Sequence, residues 1–563
     1  RSQATIFTVT LDNFSLSGAG TGKKHIEFDI LLACSRSVYL DEAVAYFEYS
    51  SSVYGSNAYS NGKIAVTRGA LIADNIQYED PISNDHTQAN NRIGSTASHR
   101  QYDEIEGNGI TSNRSEIGTT PKQLFHVKLE FANCGENSLI NLWEDPFISQ
   151  FDIAYTETAN TPEQSEGVEH SVGDDVIAVD TEVFTTCVPE INDFYPKAIS
   201  AGTGQKLTIT GRFFGDSQGT IGTVRFKDAN DEKTEPSPNG ITSADVTSWT
   251  DNKLEIVLPS FIGNDDATPG TGIFEVQNDF DKKVRPETTN PLAVNYAVVT
   301  TAPPNAIQRV TLNPVGSSKY IINIHRDVAS DIEKVKCIKA ALKRWSCATG
   351  IDWQLGDIVT DLTFNTSNGR SLIAPDIENI MKVSSIMETS NNTPFASCPE
   401  AQGAFVIRYD TDRVYFYETD PAKRKASSGG GVANRPSVTN AYVRASVQET
   451  DFYTAILHEL GHAHLLAHKA NENEVMYFAN TKADGTTRKA TTLQTWDIDG
   501  AKAILADTYS KNIVCGNKVG DNAFPTSCGQ NASEFTILGV TPTNLCAPGT
   551  VNATAPFPEL IPK

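Results

Sequence analysis

His458-Glu459-Leu460-Gly461-His462-Ala463-His464-Leu465-Leu466-Ala467-His468 packs four of the chain's ten histidines into eleven residues. Residues i and i+4 share one face of a helix, so His458 and His462 can point at a single metal ion. Glu459 follows His458 beside that face, where a carboxylate can act on water held by the metal. Catalytic zinc takes three protein ligands and keeps a fourth position for water. A third donor therefore has to follow, and His468 is the nearest candidate. On an unbroken helix His468 would lie about 15 Å along the axis from His458, too far to share an ion. The helix must break before His468 can reach the site. His464 points away from the His458/His462 face and reads as a packing or hydrogen-bonding residue. Phe452, Tyr453, Ile456, Leu457 and Leu460 give this helix an apolar back.

From about residue 305 the surrounding pattern is mixed α and β. The stretch 320–325 is a buried-strand candidate. Ser330 and Glu333 form an S-x-x-E capping box that opens a helix. Ile332, Val335, Ile338, Leu342 and Trp345 recur every three or four residues and lay one apolar stripe along it, with Gly350 as its C-terminal cap. Residues 351–355 and 405–417 read as strands, 425–436 as a Gly/Ser-rich loop, 440–446 as a further short strand and 496–505 as a closing amphipathic helix.

Residues 1–188 read differently. Runs at 6–11, 26–31 and 124–131 alternate apolar and polar with strand period, and the loops at 50–61 and 84–98 are rich in Gly, Ser and Asn. A β-sandwich is expected. A second all-β unit begins near Pro189, with short alternating runs at 189–196, 204–215, 224–226, 249–259 and 272–276. Glycines stand at its turns, and Pro196 and Pro259 stand at strand ends where no ladder donor is needed. It ends near Tyr296, and 300–304 reads as a linker.

A chain of 563 residues is too long for one core, and three or four domains are expected. No run approaches the roughly 20 apolar residues of a membrane helix. The net charge of -23 argues against nucleic acid and anionic membrane surfaces as partners. Nine widely spaced cysteines without a C-x-x-C pair favour an oxidising compartment with some disulfides, and the odd number leaves at least one thiol over. Cys398, in Ser397-Cys398-Pro399, reads as disulfide-bonded. The start at Arg1, with no apolar leader, is expected of a mature secreted form.

Residues 300–510 resemble the metzincin clan of zinc metallopeptidases, in its matrixin-like branch. The likeness rests on H-E-x-x-H followed by His468, on Met476 in Glu474-Val475-Met476-Tyr477 as a Met-turn, on the 330–350 helix with Trp345, and on Asp497-Ile498-Asp499-Gly500 in the closing helix. The second unit resembles an IPT/TIG domain, an immunoglobulin-like sandwich. The first is similar in pattern to the cohesin-like modules of exported bacterial proteins. These resemblances imply a multidomain fold: a β-sandwich over 1–188, an IPT/TIG unit over 189–299, an α+β metzincin-like domain over 300–510, and a cysteine-containing cap or tail over 511–563.

The metzincin resemblance also implies chemistry. One catalytic Zn2+ would be held by His458, His462 and His468, with Glu459 as general base on the bound water and Met476 as a hydrophobic floor. The substrate would be a protein or peptide, pairing as an added strand with 405–417 or 440–446. Structural Ca2+ has no supporting motif. The expectation is a secreted or surface-attached endopeptidase. The alternative is an adhesive surface protein, its partner held through the β-units, whose protease-like module binds metal but cuts weakly. A carbohydrate-binding role would need aromatic platforms that are not evident.

Three departures and one rival are visible. The family places Gly three residues after the second histidine, and here Leu465 stands there, where a left-handed backbone costs on the order of 1 kcal/mol. Phe478 occupies the position of the metal-linked tyrosine of some branches, and Tyr477 is off by one. No P-R-C-G-x-P-D cysteine switch is present. In the gluzincin arrangement Glu472 or Glu474 would be the third ligand instead of His468.

Overall fold

In the computed structural model the chain is mostly β-sheet, with few helices. It describes most of residues 5–510. Outside the description lie chiefly 1–4, 99–113, 143–152, 157–176, 302–307, 313–319, 361–370, 378–386, 393–401, 418–448, 479–491 and 511–563, with shorter breaks elsewhere. The expected 425–436 loop, the 440–446 strand, Cys398 and the C-terminal segment fall there.

The first unit is a sandwich of two sheets. One runs in the order Ile177–Val179, Phe7–Ser17, His25–Cys34, Lys122–Glu130, Ile64–Arg68, and the other is built around Val38–Tyr49. Strand alternation turns Phe28, Ile30 and Leu32 from the first sheet against Leu40, Ala45 and Phe47 from the second, all fully buried. The expected loop at 84–98 is in part a strand, Arg92–Ser98, paired with Val38–Tyr49. Its inward residues Ile93, Ser95 and Ala97 are mostly small, so the alternation carried little hydrophobic contrast.

The second unit is an immunoglobulin-like sandwich. One sheet orders Glu190–Tyr195, Lys206–Arg212, Lys253–Val257 and Val246–Thr250, facing Thr223–Arg225, Glu275–Gln277 and Lys283–Val284. Phe194, Leu207, Ile209 and Ile256 meet Val224, Phe226, Phe274 and Val276 in one core. The two sandwiches are joined at several points. Asp251 accepts from the Leu16 amide (2.9 Å) and Asp279 from the Gly20 amide (2.7 Å). Phe213 and Phe280 pack into the first unit's core, and within that unit a disulfide links Cys134 to Cys187, just ahead of the border.

In the third unit five strands lie parallel in the order 311–312, Gln402–Tyr409, Ser371–Pro375, Tyr320–His325, Trp353–Val359, and Met387–Asn392 pairs antiparallel with Gln402–Tyr409. Helices α1 (Ile332–Thr349), α2 (Phe452–Ala463) and α3 (Thr495–Ser510) accompany this sheet. The N-cap of α1 is Asp331, not Ser330. A single helical turn, Arg326–Ala329, runs into Ser330 and leaves it helical, whereas Asp331 has the extended backbone a cap needs and accepts from the Glu333 and Lys334 amides. The apolar stripe begins one turn later than expected. Ile332, at the helix's first position, is 67% exposed, while Ile338, Leu342 and Trp345 are buried. Trp345 then ties α1 to α2, its indole N–H donating to the Leu457 carbonyl at 2.9 Å. Among the described residues no helix is long and apolar enough to cross a membrane.

The border between the second and third units is itself hydrogen-bonded. Ala467 N donates to Ala297 O (2.9 Å), Val299 N donates to Leu465 O (2.8 Å), and Val298 faces Leu466 in an antiparallel bridge. Ala467 belongs to the second unit's core.

Candidate metal centre

Helix α2 opens at Asp451, whose side chain accepts from the Tyr453 amide. Eleven of its twelve residues are buried, the exception being His462. The helix ends at Ala463, one residue after His462, and a tight turn closes it. Leu465 takes a φ of +64°, its N–H bonds to His462 O (2.8 Å), and Leu466 N–H bonds to Gly461 O (3.1 Å). Those two bonds are a Schellman closure, which glycine favours and which leucine makes here. The left-handed backbone costs about 1–2 kcal/mol. Leu465 is 1% exposed, and full burial of its side chain contributes about 2 kcal/mol, enough to offset the strain.

The turn brings the third histidine back to the other two. Nε2 of His462 lies 3.1 Å from Nε2 of His458 and 3.1 Å from Nε2 of His468. Each ring's other nitrogen is engaged: His458 Nδ1 with Val475 O (2.6 Å), His462 Nδ1 with Leu466 O (2.7 Å) and His468 Nδ1 with Asn230 Oδ1 (2.8 Å). Main-chain carbonyls only accept, so the first two rings donate from Nδ1, and in the neutral ring this turns a lone pair outward at Nε2. Lone pairs facing one another at this distance repel unless a cation lies among them. Two nitrogens bound tetrahedrally to zinc stand about 3.3 Å apart, close to the spacing seen. The donor set fits zinc, and among the described residues it is the one cluster of three or more potential ligand groups close enough to hold an ion.

Around the triad the supports are layered. Gly461 leaves room for Met476, because a Cβ there would collide with the methionine sulfur and approach Trp345. Asp497, in α3, accepts from the amides of Val475 (3.2 Å), Met476 (3.3 Å) and Gln494 (2.9 Å). Burial pushes its carboxyl above the ordinary range, against the pull of those N–H donors. Asp497 thus holds the segment whose Val475 carbonyl orients His458. Glu474 is committed elsewhere, to the buried ammonium of Lys469 (2.6 Å) and to Asn471 (3.0 Å). Glu472 also lies outside the cluster. Glu459, next to His458, is 6% exposed.

His464 is placed apart from the other three. It stacks on Trp345 with centroids 4.3 Å apart, its Nδ1 meets Leu460 O (2.6 Å), and its Nε2 accepts from the Trp353 indole at 2.7 Å. Complete burial lowers its pKa to about 3, which keeps the ring neutral.

The chain matches no known family model and no curated protein. Among solved structures it is similar to the sixth cohesin of scaffoldin B of Acetivibrio cellulolyticus, in complex with a Cel5 dockerin mutant: identity 8%, covering 31% of this chain and 95% of that one, TM-score 0.19. The second type II cohesin module of the A. cellulolyticus adaptor ScaA gives 10% identity, 33% and 99% coverage, TM-score 0.20. The Coh-OlpC-Doc435 complex of Clostridium thermocellum gives 12% identity, 33% and 97% coverage, TM-score 0.19. At those scores no conclusion about this chain rests on the likeness.

The strand expected to receive substrate is not an edge. Gln402–Tyr409 is flanked by Ser371–Pro375 on one side and Met387–Asn392 on the other, and Val414–Phe416 pairs with Glu449–Asp451. Among the described residues this sheet is open at Trp353–Val359 and at Met387–Asn392, and the latter lies alongside α2. Asn230, at the triad, carried no signal in the sequence. It lies 238 residues from His468, in a unit of another fold.

Proposed function

We propose that this chain is a zinc-dependent endopeptidase of metzincin, matrixin-like type, acting outside the cell or at its surface, with an IPT/TIG unit ahead of the catalytic one. The observation that carries the reading is the convergence of three histidine Nε2 atoms, each ring oriented through Nδ1, beside a buried glutamate on the same helix. A bound zinc would supply Lewis acidity to a water molecule and to the scissile carbonyl. His458, His462 and His468 would hold the ion as neutral imidazoles, which would leave its charge uncancelled. Glu459 takes a proton from the attacking water as the new C–O bond forms. It returns that proton to the amine nitrogen as the peptide C–N bond breaks. Met476, packed against Gly461, closes the site from below. The open edge at Met387–Asn392 is where an extended peptide can add as a strand beside α2. The Cys134–Cys187 disulfide suits an oxidising compartment.

A second reading keeps the metal and gives up efficient cutting: an adhesive or binding surface protein. It is favoured by the two β-sandwich units that together occupy more than half the chain. One experiment separates the two. Zinc content and cleavage of an unfolded protein substrate are measured for the full chain and for Glu459→Ala. The peptidase reading expects one zinc in both, with cleavage reduced about 10²–10⁴-fold in the variant. One zinc in both and no cleavage by either leaves the binding reading.

A further inference from the structure

The three histidines differ in what holds their second nitrogen. His458 and His462 lean on carbonyls of their own unit, Val475 and Leu466. His468 leans on a side chain of the second sandwich, with Nδ1 2.8 Å from Asn230 Oδ1. It also lies beyond the end of α2, so no helix fixes its ring. We propose that Asn230 is a positioning residue of the metal centre. Its amide oxygen accepts the Nδ1 proton of His468, sets the tautomer and aims Nε2 at the ion, so that zinc binding and the seating of the second sandwich are one equilibrium. The inference rests on the zinc reading of the triad.

The acceptor stands on a braced turn. Asp228 Oδ1 accepts from the amides of Asn230 (2.8 Å) and Thr268 (3.1 Å), and Ala229 N donates to Thr268 O (2.7 Å). Ala229 is fully buried, and a Cβ at Gly270 would stand only 3.1 Å from it, so the turn is pressed in place from behind. The same sandwich is also fixed to the residues before His468 through the Ala297–Ala467 and Val299–Leu465 bonds. A half-buried acceptor on a rigid support is what orients a metal-bound imidazole, and loss of such a partner typically weakens metal binding 10–100-fold. The coupling is reciprocal: an ion that favours this orientation of His468 favours the docked turn by the same factor.

The test uses the full chain. Zinc affinity is measured by competition with a chromophoric chelator, and the site geometry by the visible d–d bands of the Co2+-substituted protein. For Asn230→Ala we expect zinc affinity to fall about 10–100-fold and the Co2+ bands to shift. Asn230→Asp keeps an acceptor oxygen and should restore both affinity and spectrum. An Asn230→Ala protein with wild-type zinc affinity and unchanged Co2+ bands overturns the proposal while leaving the zinc reading intact. Wild-type chain that takes up no zinc sinks the zinc reading, and this inference with it. Amide hydrogen exchange on the wild type needs no variant to fold. Protection at 227–231 should rise when zinc is added, and unchanged exchange at saturating zinc overturns the coupling.

Discussion

Helices α1 and α2 both end on a left-handed residue, Gly350 at φ +83° and Leu465 at φ +64°. They reach that conformation for opposite reasons. Gly350 has no side chain to strain, and its N–H simply caps Ser346 O at 2.8 Å. Leu465 accepts the strain and offsets it with a side chain sealed in the third unit's core. The first turn is decided by the backbone. The second is decided by what the side chain fills and by the chain that must follow it, because His468 stands three residues on. Glycine is the least strained residue for such a turn, and a buried leucine is another solution.

The contrast can be broken or sharpened at several points. The largest effect should come from the metal. If zinc holds the turn closed, chelation of the full chain should lower the melting temperature of the third unit, since a ligand at a thousandfold excess over its Kd stabilises by about 4 kcal/mol. Thermal scans insensitive to both chelator and added zinc would detach the Leu465 turn from any metal. Next comes Leu465→Ala, which keeps the strain and removes the burial. It should cost about 3 kcal/mol in denaturant unfolding. Leu465→Gly relieves the strain as well and should still cost about 2 kcal/mol, because the cavity remains. A Leu465→Gly protein as stable as the wild type would show that packing is not what sustains the turn. The smallest effect belongs to Gly350→Ala, expected at about 1 kcal/mol from the left-handed backbone alone.

What could be read from the sequence follows from how far each interaction reaches. The i, i+4 spacing of His458 and His462, the Gly350 cap and the buried face of α1 are local properties and were legible. So was the separate role of His464, since helical geometry alone points it away from the pair. The identity of the α1 cap was missed by one residue, because the turn at Arg326–Ala329 absorbs Ser330 and no local pattern announces it. The strand Arg92–Ser98 was hidden by its small inward residues. Neither the Trp353–His464 bond nor the Asn230–His468 contact could be seen, because each joins residues more than a hundred positions apart. The flanks of Gln402–Tyr409, which remove it as an edge, are set by sheet order, which short-range alternation does not encode.

The bonds that run from 297–299 to 465–467 also bear on ancestry. Modules separated by a slack linker can be exchanged by recombination, each half keeping its own trade. Here the last strand of the sandwich is laced to the loop that carries His468. Substituting another immunoglobulin-like unit of equal stability would remove Ala297, Val298 and Val299 together, and leave that loop without its border. A replacement unit would have to offer main-chain groups in the same places, so the junction is expected to tolerate changes of side chain better than changes of length.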